Sequence, residues 1–147
     1  MGGGERKKYR KIGYTQGVFD MFHIGHLNIL RRAKEQCDYL IVGVNSDKLV
    51  MSYKNKLPVV SEEKRVEIIK NINVVDNVFL VSTLDKVELH HIFHFNTIFI
   101  GSDWKNSDRW QQTKRELEKM SVSTVFLPHT DGISSTILKR KINEKSN

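Results

Sequence analysis

Short apolar runs alternate with amphipathic stretches along most of this chain of 147 residues. This alternation is typical of units in which a strand, a helix and a second strand form a parallel sheet. Strands this apolar favour a sheet that is covered on both faces. The predicted strands cover residues 11–16, 39–44, 77–81, 97–100 and 123–127.

The amphipathic stretches predict the helices of this α/β arrangement. The first begins near His26, because Leu27 and Leu30 follow at helical spacing. A polar loop is expected through Pro58, and Ser61 opens the next helix. The remaining helices are expected at residues 86–95, at a stripe of apolar and small residues over 110–120, and at 134–143, near the end of the chain.

Length and charge together favour one domain without a nucleic-acid surface. Residues 1–11 form a basic, flexible lead, and residues 12–147 contain enough apolar side chains for a single core. The formal net charge of +7 comes from the two ends of the chain, so the body between them is formally neutral. A nucleic-acid-binding face would place its excess charge on the folded surface.

The cysteine count and the hydropathy favour a cytoplasmic protein. Cys37 is the only cysteine, so no intrachain disulfide forms, and its place between a helix and an apolar strand suggests packing. No apolar run approaches the length that would insert into a membrane.

One turn in the sequence predicts a nucleotide-phosphate site. It reads Gly-Val-Phe-Asp-Met-Phe-His-Ile-Gly-His over residues 17–26 and joins the first strand to the first helix. His23 and His26 flank the first turn of that helix, where unpaired N–H groups and the helix dipole favour anions. Ligands of open parallel sheets bind beyond the carboxyl ends of the strands, where this turn is expected to lie.

Two motifs together resemble the cytidylyltransferases, most of all the small bacterial glycerol-3-phosphate cytidylyltransferases. The first is the turn at 17–26; the second is His-Thr-Asp-Gly-Ile-Ser-Ser-Thr at 129–136, and Gly-Ser-Asp-Trp at 101–104 is similar to a further family segment. The resemblance covers residues 13–142 and implies a Rossmann-like sheet of about five strands. It also implies that a phosphate oxygen of a small alcohol phosphate attacks the α-phosphorus of CTP and releases pyrophosphate.

The resemblance implies roles for individual residues. Catalytic roles fall on His23, His26, Lys56 and His129, and substrate-binding roles on Asp20, Lys54 and Lys86. The nucleotide-binding residues that it implies are Gly17, Val18, Phe19, His23, Gly25, His26, Lys56, Gly101, Asp103, Trp104, His129, Thr130, Ile133, Ser134, Ser135 and Thr136. Arg65 matches a family arginine and is expected to support the lysine-bearing loop by ion pairing. Phosphate contact should favour a protonated histidine, so a charged donor is expected near neutral pH.

Two positions depart from the family pattern. His129 stands where the family's second motif begins with arginine, and Asn73 replaces a second arginine. The loss of two cations leaves the identity of the acceptor open. Either another basic residue compensates, with Lys86 and Arg109 as candidates, or the acceptor differs in shape or charge.

Metal, assembly and alternative functions complete the expectations. Mg²⁺ is expected as a bridge between CTP phosphates; the histidines at 90, 91 and 94 are interpreted as surface residues rather than ligands, and no protein metal site is predicted. The resemblance implies a homodimer. An adenylyltransferase of the same superfamily that acts on a sugar phosphate, and a catalytically silent nucleotide-binding module, remain alternatives.

Overall fold

Five parallel strands form one sheet in the order β3-β2-β1-β4-β5. The computed structural model describes residues 11–102 and 107–128. The strands are β1 (Ile12–Gly17), β2 (Tyr39–Asn45), β3 (Asn77–Val81), β4 (Thr97–Gly101) and β5 (Ser123–Leu127). The helices are α1 (Ile24–Glu35), α2 (Asp47–Lys54), α3 (Glu62–Lys70), α4 (Lys86–Phe93) and α5 (Asp108–Lys119).

Helices cover both faces of the sheet, and each face has its own core. Leu30 of α1 and Ile69 of α3 pack with Val42 and Val44 on one face. On the other face, Leu89 of α4 and Leu117 of α5 pack with side chains of the sheet that include Tyr14 and Ile98. The predicted fold, an α/β Rossmann-like sheet of about five strands with helices on both faces, is confirmed.

The two central strands separate towards their carboxyl ends. β1 pairs with β2 along its whole length, from Ile12 to Gly17, but with β4 only at Gly13 and Tyr14. Beyond that point the hydroxyl of Thr15 donates to the carbonyl oxygen of Phe99 at 3.1 Å. From β1 the chain adds β2 and β3 on one side of the sheet and then crosses over to add β4 and β5 on the other side. In an open parallel sheet, ligands bind at the point where the strand order reverses in this way.

One predicted element is wrong. The polar loop expected between β2 and Pro58 contains the two-turn helix α2, which begins after Ser46, whose hydroxyl accepts from the N–H of Leu49. Polar and charged side chains on its outer face concealed this helix from a reading of composition. The predicted strands match the observed strands to within one residue at each end. The first ten residues of the basic lead predicted at 1–11 lie outside the described residues, as does the predicted helix at 134–143.

Candidate active site

The turn between β1 and α1 holds an unusual backbone. Phe19 and Met21 have φ angles of 54° and 51°, in the left-handed region that non-glycine residues seldom adopt. Such backbone strain persists where the surrounding structure enforces it and is common in binding sites. The turn ends at His23, the N-cap of α1, with extended backbone angles.

His23 and His26 are fixed by backbone hydrogen bonds. The N–H of Gly25 donates to Nδ1 of His23 at 3.0 Å, and the N–H of His23 donates to Nδ1 of His26 at 3.2 Å. This reciprocal arrangement is a capping box, and it stacks the two rings with 3.9 Å between their centroids. Because each Nδ1 accepts, each neutral ring carries its hydrogen on Nε2.

Burial makes both imidazoles poor bases in the absence of a ligand. Desolvation lowers the pKa of His23, and it lowers the pKa of His26 to about 4, with a further contribution from the neighbouring His23. Both rings are therefore neutral at pH 7 in this structure, whereas the sequence predicts a charged donor when phosphate is bound. Within the part of the chain that the structure describes, the buried Nε2 of His23 has no hydrogen-bond partner. A buried N–H group without a partner can donate to an oxygen atom of a bound anion.

Asp20 links this turn to the segment that precedes α3. Its side chain is 5% exposed, and its two carboxylate oxygens accept from the N–H groups of Val59 and Val60 at 2.8 and 2.9 Å. These bonds place the segment after α2 beside the histidine turn. The substrate-binding role of Asp20 stays a prediction.

Arg65 connects three chain segments next to the histidine turn through hydrogen bonds. Its guanidinium is fully buried, and it donates to the carbonyl oxygens of Val18, Asn45 and Val60 at 2.7–2.9 Å. It also forms an ion pair with Asp47, the first residue of α2, at 2.6 Å. The ion-pairing support expected from Arg65 is present, and it acts on the start of a helix rather than on a loop.

The two lysines after β2 lie at the end of α2. Lys54 is the last residue of the helix, Asn55 follows with a φ of 56° as its C-cap, and Lys56 comes next. Both lysine side chains are exposed. Their substrate and nucleotide roles stay predictions, but the helix that carries Lys54 is anchored by Arg65 to the histidine turn.

A polar network that sequence reasoning missed joins β1, β2 and the segment after β3. The hydroxyl of Tyr14 donates to Oε1 of Gln16 at 2.7 Å, and Nε2 of Gln16 donates to the carbonyl oxygen of Thr83 at 3.0 Å and to Oδ1 of Asn45 at 2.8 Å. Asn45 in turn donates to the hydroxyl of Tyr53 on α2 at 3.1 Å. Polar residues at the ends of two apolar strands were the available signal.

Glycine at position 43 is required by this network. A Cβ there would lie 2.1 Å from the hydroxyl oxygen of Tyr14. The buried hydroxyl, whose pKa is raised by desolvation, stays protonated and donates to Gln16.

Lys86 lies in a cavity between the beginnings of α4 and α5. The cavity has a volume of about 370 Å³, and its lining includes Thr83, Lys86, Arg109, Thr113 and Glu116. Nζ of Lys86 donates to the carbonyl oxygen of Leu84 at 2.9 Å and lies 5.6 Å from the ring centroid of Trp110. Desolvation lowers the pKa of Lys86 to about 8, and the positive charge of Arg109 adds to that effect. His23 and His26 are not part of this lining.

Half of the expected nucleotide pocket lies outside the described residues. This concerns Asp103, Trp104, His129, Thr130, Ile133, Ser134, Ser135 and Thr136. Gly101 ends β4 beside the separated strands, and the roles of all these residues stay predictions.

The histidines of α4 do not form a metal centre with neighbouring acids or thiols. Throughout residues 11–102 and 107–128, no group of three histidine, cysteine, aspartate or glutamate side chains is placed to hold a metal ion. In the same residues no helix is long and apolar enough to cross a membrane.

Comparison with protein families and known proteins identifies similar chains. A model described as cytidylyltransferase-like matches residues 14–141. The glycerol-3-phosphate cytidylyltransferase of Bacillus spizizenii is 36% identical over 130 residues, which cover 86% of this chain and 92% of that protein. The enzyme of the same name from Bacillus subtilis is 34% identical over 129 residues, covering 87% of this chain and 94% of its own.

Two further comparisons are broader. The bifunctional protein HldE of Caulobacter vibrioides is 36% identical over 102 residues, which cover 69% of this chain but only 21% of that protein. A crystal structure of a lipopolysaccharide core biosynthesis protein from Thermoplasma volcanium superimposes with a TM-score of 0.68 at 24% identity, covering 82% of this chain and 96% of the other. The second likeness supports the fold alone.

Proposed function

The chain belongs to the cytidylyltransferase-like family of nucleotidyltransferases, and from that premise we propose that it transfers CMP from CTP to glycerol phosphate or a similar small alcohol phosphate. The observation that carries the proposal is the pair of stacked, neutral imidazoles at the N-terminus of α1. Relatives that share this fold and most of the chain's length carry the name glycerol-3-phosphate cytidylyltransferase.

In the proposed reaction, an oxygen of the acceptor phosphate forms a bond to the α-phosphorus of CTP. The bond from the α-phosphorus to the bridging oxygen of the β-phosphate breaks, and pyrophosphate leaves with that electron pair. The products are a CDP-alcohol and pyrophosphate. No covalent enzyme intermediate is needed, so catalysis consists of positioning and of stabilising negative charge.

His23 and His26 would stabilise the charge that develops on the phosphates of CTP. Each presents an Nε2–H, and their Nδ1 atoms are held by backbone N–H groups, so neither ring has to reorganise during the reaction. His129 belongs to the same proposed catalytic set.

Positive charge would come from the lysines. Lys56 would contact the phosphates of CTP, while Lys54 and Lys86 would contact the acceptor phosphate. Mg²⁺ would arrive bound to the phosphate oxygens of CTP as part of the substrate, since hard oxygen ligands suit that ion. We further propose a cytoplasmic homodimer.

The test is release of pyrophosphate with CTP and a panel of phosphorylated alcohols that includes glycerol 3-phosphate and glycerol 2-phosphate. We expect turnover with CTP, and loss of turnover when either histidine is replaced by alanine. Full turnover in both alanine variants contradicts the mechanism. Binding of CTP without turnover across the whole panel contradicts the proposed function and favours a silent nucleotide-binding module.

An adenylyltransferase that acts on a sugar phosphate is the second candidate. The likeness to a region of bifunctional HldE proteins keeps it open. Calorimetric titration with CTP and with ATP separates the two, because tighter binding of ATP would reverse the proposed choice of nucleotide.

A further inference from the structure

We infer that Arg109 acts with Lys86, in the cavity between α4 and α5, as a second residue that binds the phosphate of the acceptor and selects a phosphorylated polyol. This inference rests on the proposed function, and it adds Arg109, which lies outside the two motifs at 17–26 and 129–136. Arg109 is an exposed residue in the first turn of α5 and lines the cavity together with Lys86.

Two cations, Lys86 and Arg109, and two carboxylates, Asp85 and Glu116, line the cavity. Asp85 is already used as the N-cap of α4, where it accepts from the N–H groups of Val87 and Glu88. Burial lowers the pKa of Lys86, and the positive charge of Arg109 lowers it further. Among the residues that the structure describes, no carboxylate forms an ion pair with either cation within 4.0 Å. Two neighbouring cations without such a partner are stabilised when a phosphate binds between them.

Lys86 is positioned for this task rather than free to move. One of its N–H groups donates to the carbonyl oxygen of Leu84, and the ring of Trp110 lies beside it. An ammonium group has three donors, so two remain for a ligand. The planar guanidinium of Arg109 supplies the paired donors that match two phosphate oxygens.

The cavity wall is connected to the strand that leads to the histidine turn. Gln16 of β1 donates to the carbonyl oxygen of Thr83, which lies in the wall three residues before Lys86. The amide of Gln16 cannot turn over without losing its bond from Tyr14. The acceptor's cavity and the histidine turn are therefore attached to the same rigid strand.

The remaining lining favours an acceptor with several hydroxyl groups. The hydroxyl of Thr113 and the carboxylate of Glu116 offer hydrogen-bond partners on the α5 side of the cavity. The volume of about 370 Å³ lies within the range of roughly 300–1,000 Å³ found for small-molecule sites. A polyol phosphate satisfies these groups, whereas an apolar alcohol would leave them without partners.

The experiment compares Arg109→Gln with Arg115→Gln, which removes the same charge from an exposed position of the same helix. Steady-state rates are measured with glycerol 3-phosphate and CTP varied in turn. We expect Arg109→Gln to raise the KM for glycerol 3-phosphate by about tenfold or more, as for the loss of a charged hydrogen bond. The KM for CTP should stay unchanged, and Arg115→Gln should behave as the wild-type protein does.

A pH profile supplies a readout that a structural role would not move. Asp85 and Glu116 line the cavity with Lys86 in both proteins, so the only charge that Arg109→Gln changes is the one that repels Lys86. Its loss should raise the pKa of Lys86 and move the alkaline limb of kcat/KM for glycerol 3-phosphate to higher pH. An unmoved limb together with an unchanged KM overturns the inference, as does an equal effect in Arg115→Gln.

Calorimetric titration with glycerol 3-phosphate separates failure of this inference from failure of the proposed function. Wild-type binding that Arg109→Gln weakens at least several-fold supports the subsite even if no pyrophosphate is released. Equal binding by both proteins, or no binding by the wild-type protein in the presence of CTP, overturns it.

Discussion

His23 and His26 are neutral rings in this structure, so they can act on a ligand as hydrogen-bond donors through Nε2–H rather than as cations. Their Nδ1 atoms are used by the backbone, and burial lowers the pKa of both rings. We propose that side chains such as Lys56 and Lys86, together with the Mg²⁺ that arrives with CTP, supply the positive charge that nucleotidyl transfer needs. A bound phosphate would shift the balance towards the charged ring, so ligand and proton are expected to bind together.

Variants that keep the helix cap isolate the role of the Nε2–H groups. Asparagine at position 23 and glutamine at position 26 both preserve the side-chain acceptors of a capping box. We expect His23→Asn and His26→Gln each to lower kcat by about 10²–10³, the effect of losing one preorganised donor. The measurement is pyrophosphate release, with His91→Asn on the exposed surface as the control. Variants as active as the control would remove the histidines from the mechanism.

The lowered pKa of His26 also predicts how stability depends on pH. Between its usual pKa of 6.5 and the value of about 4 in the folded protein, the unfolded chain binds the proton more readily. The free energy of unfolding should therefore fall as pH drops through this window, by up to about 3 kcal/mol from this group. His26→Gln cannot titrate, so urea unfolding at pH 7 and at pH 4.5 should differ less for this variant. An identical loss in both proteins contradicts the assignment.

Arg65 stabilises the chain segments that carry the candidate site. Arg65→Met would remove the ion-pair partner of Asp47 and the donor to three carbonyl oxygens, one in a buried and two in partly buried hydrogen bonds. We expect a loss of about 3–5 kcal/mol in the free energy of unfolding, measured with urea. Lys64→Met, at the exposed neighbouring position, should change stability by less than about 0.5 kcal/mol. Similar losses in the two variants would show that the Arg65 contacts contribute little.

At the level of elements, α2 presents Lys54 from a defined position. The helix begins at the Ser46 cap, is held by Asp47 to Arg65, and ends at Asn55 in a left-handed conformation. A lysine on a fixed helix loses less conformational entropy when it binds a phosphate than a lysine in a mobile loop does.

Charge removal at the end of α2 tests that presentation. We expect Lys54→Gln to raise the KM for the acceptor and Lys56→Gln to raise the KM for CTP, each by about tenfold, because a charged contact to phosphate is lost. Lys48→Gln, on the exposed first turn of the same helix, is the matched control. If all three variants raise both KM values equally, the effect is a general change in net charge.

The helix α2 also shows where pattern reading stops. Strands such as β2 were predictable because a run of buried apolar residues has few other uses in a chain of this size. The helix was missed, although Leu49, Val50 and Tyr53 lie at helical spacing after the Ser46 cap. The contacts of Gln16 with Thr83 and Asn45 join residues far apart in sequence, and no local pattern indicates them.

For the whole molecule, the order of the strands places the histidine turn at the edge of the sheet where the candidate site is proposed. β1 lies at the centre, so the turn after it meets the carboxyl ends of both β2 and β4. The motif therefore indicates where the candidate site lies, whereas the proposed surroundings of the acceptor depend on how α4 and α5 approach each other. The relative position of α4 and α5 depends on how they pack on the face of the sheet that α1 does not cover. The residues of the motif do not determine that packing.

The short pairing between β1 and β4 has a consequence for motion. The sheet consists of two groups of strands, β3-β2-β1 and β4-β5, joined by the residue pairs Gly13–Thr97 and Tyr14–Ile98. Local opening along this line should let amide hydrogens of β4 exchange with deuterium faster than those in the centre of β2. A nucleotide bound across both carboxyl ends would hold the two groups together, so CTP should slow exchange in residues 97–101 and leave the centre of β2 unchanged. Mass spectrometry of exchanged peptides measures this, and equal exchange in β4 with and without CTP would mean that the two groups already move as one body.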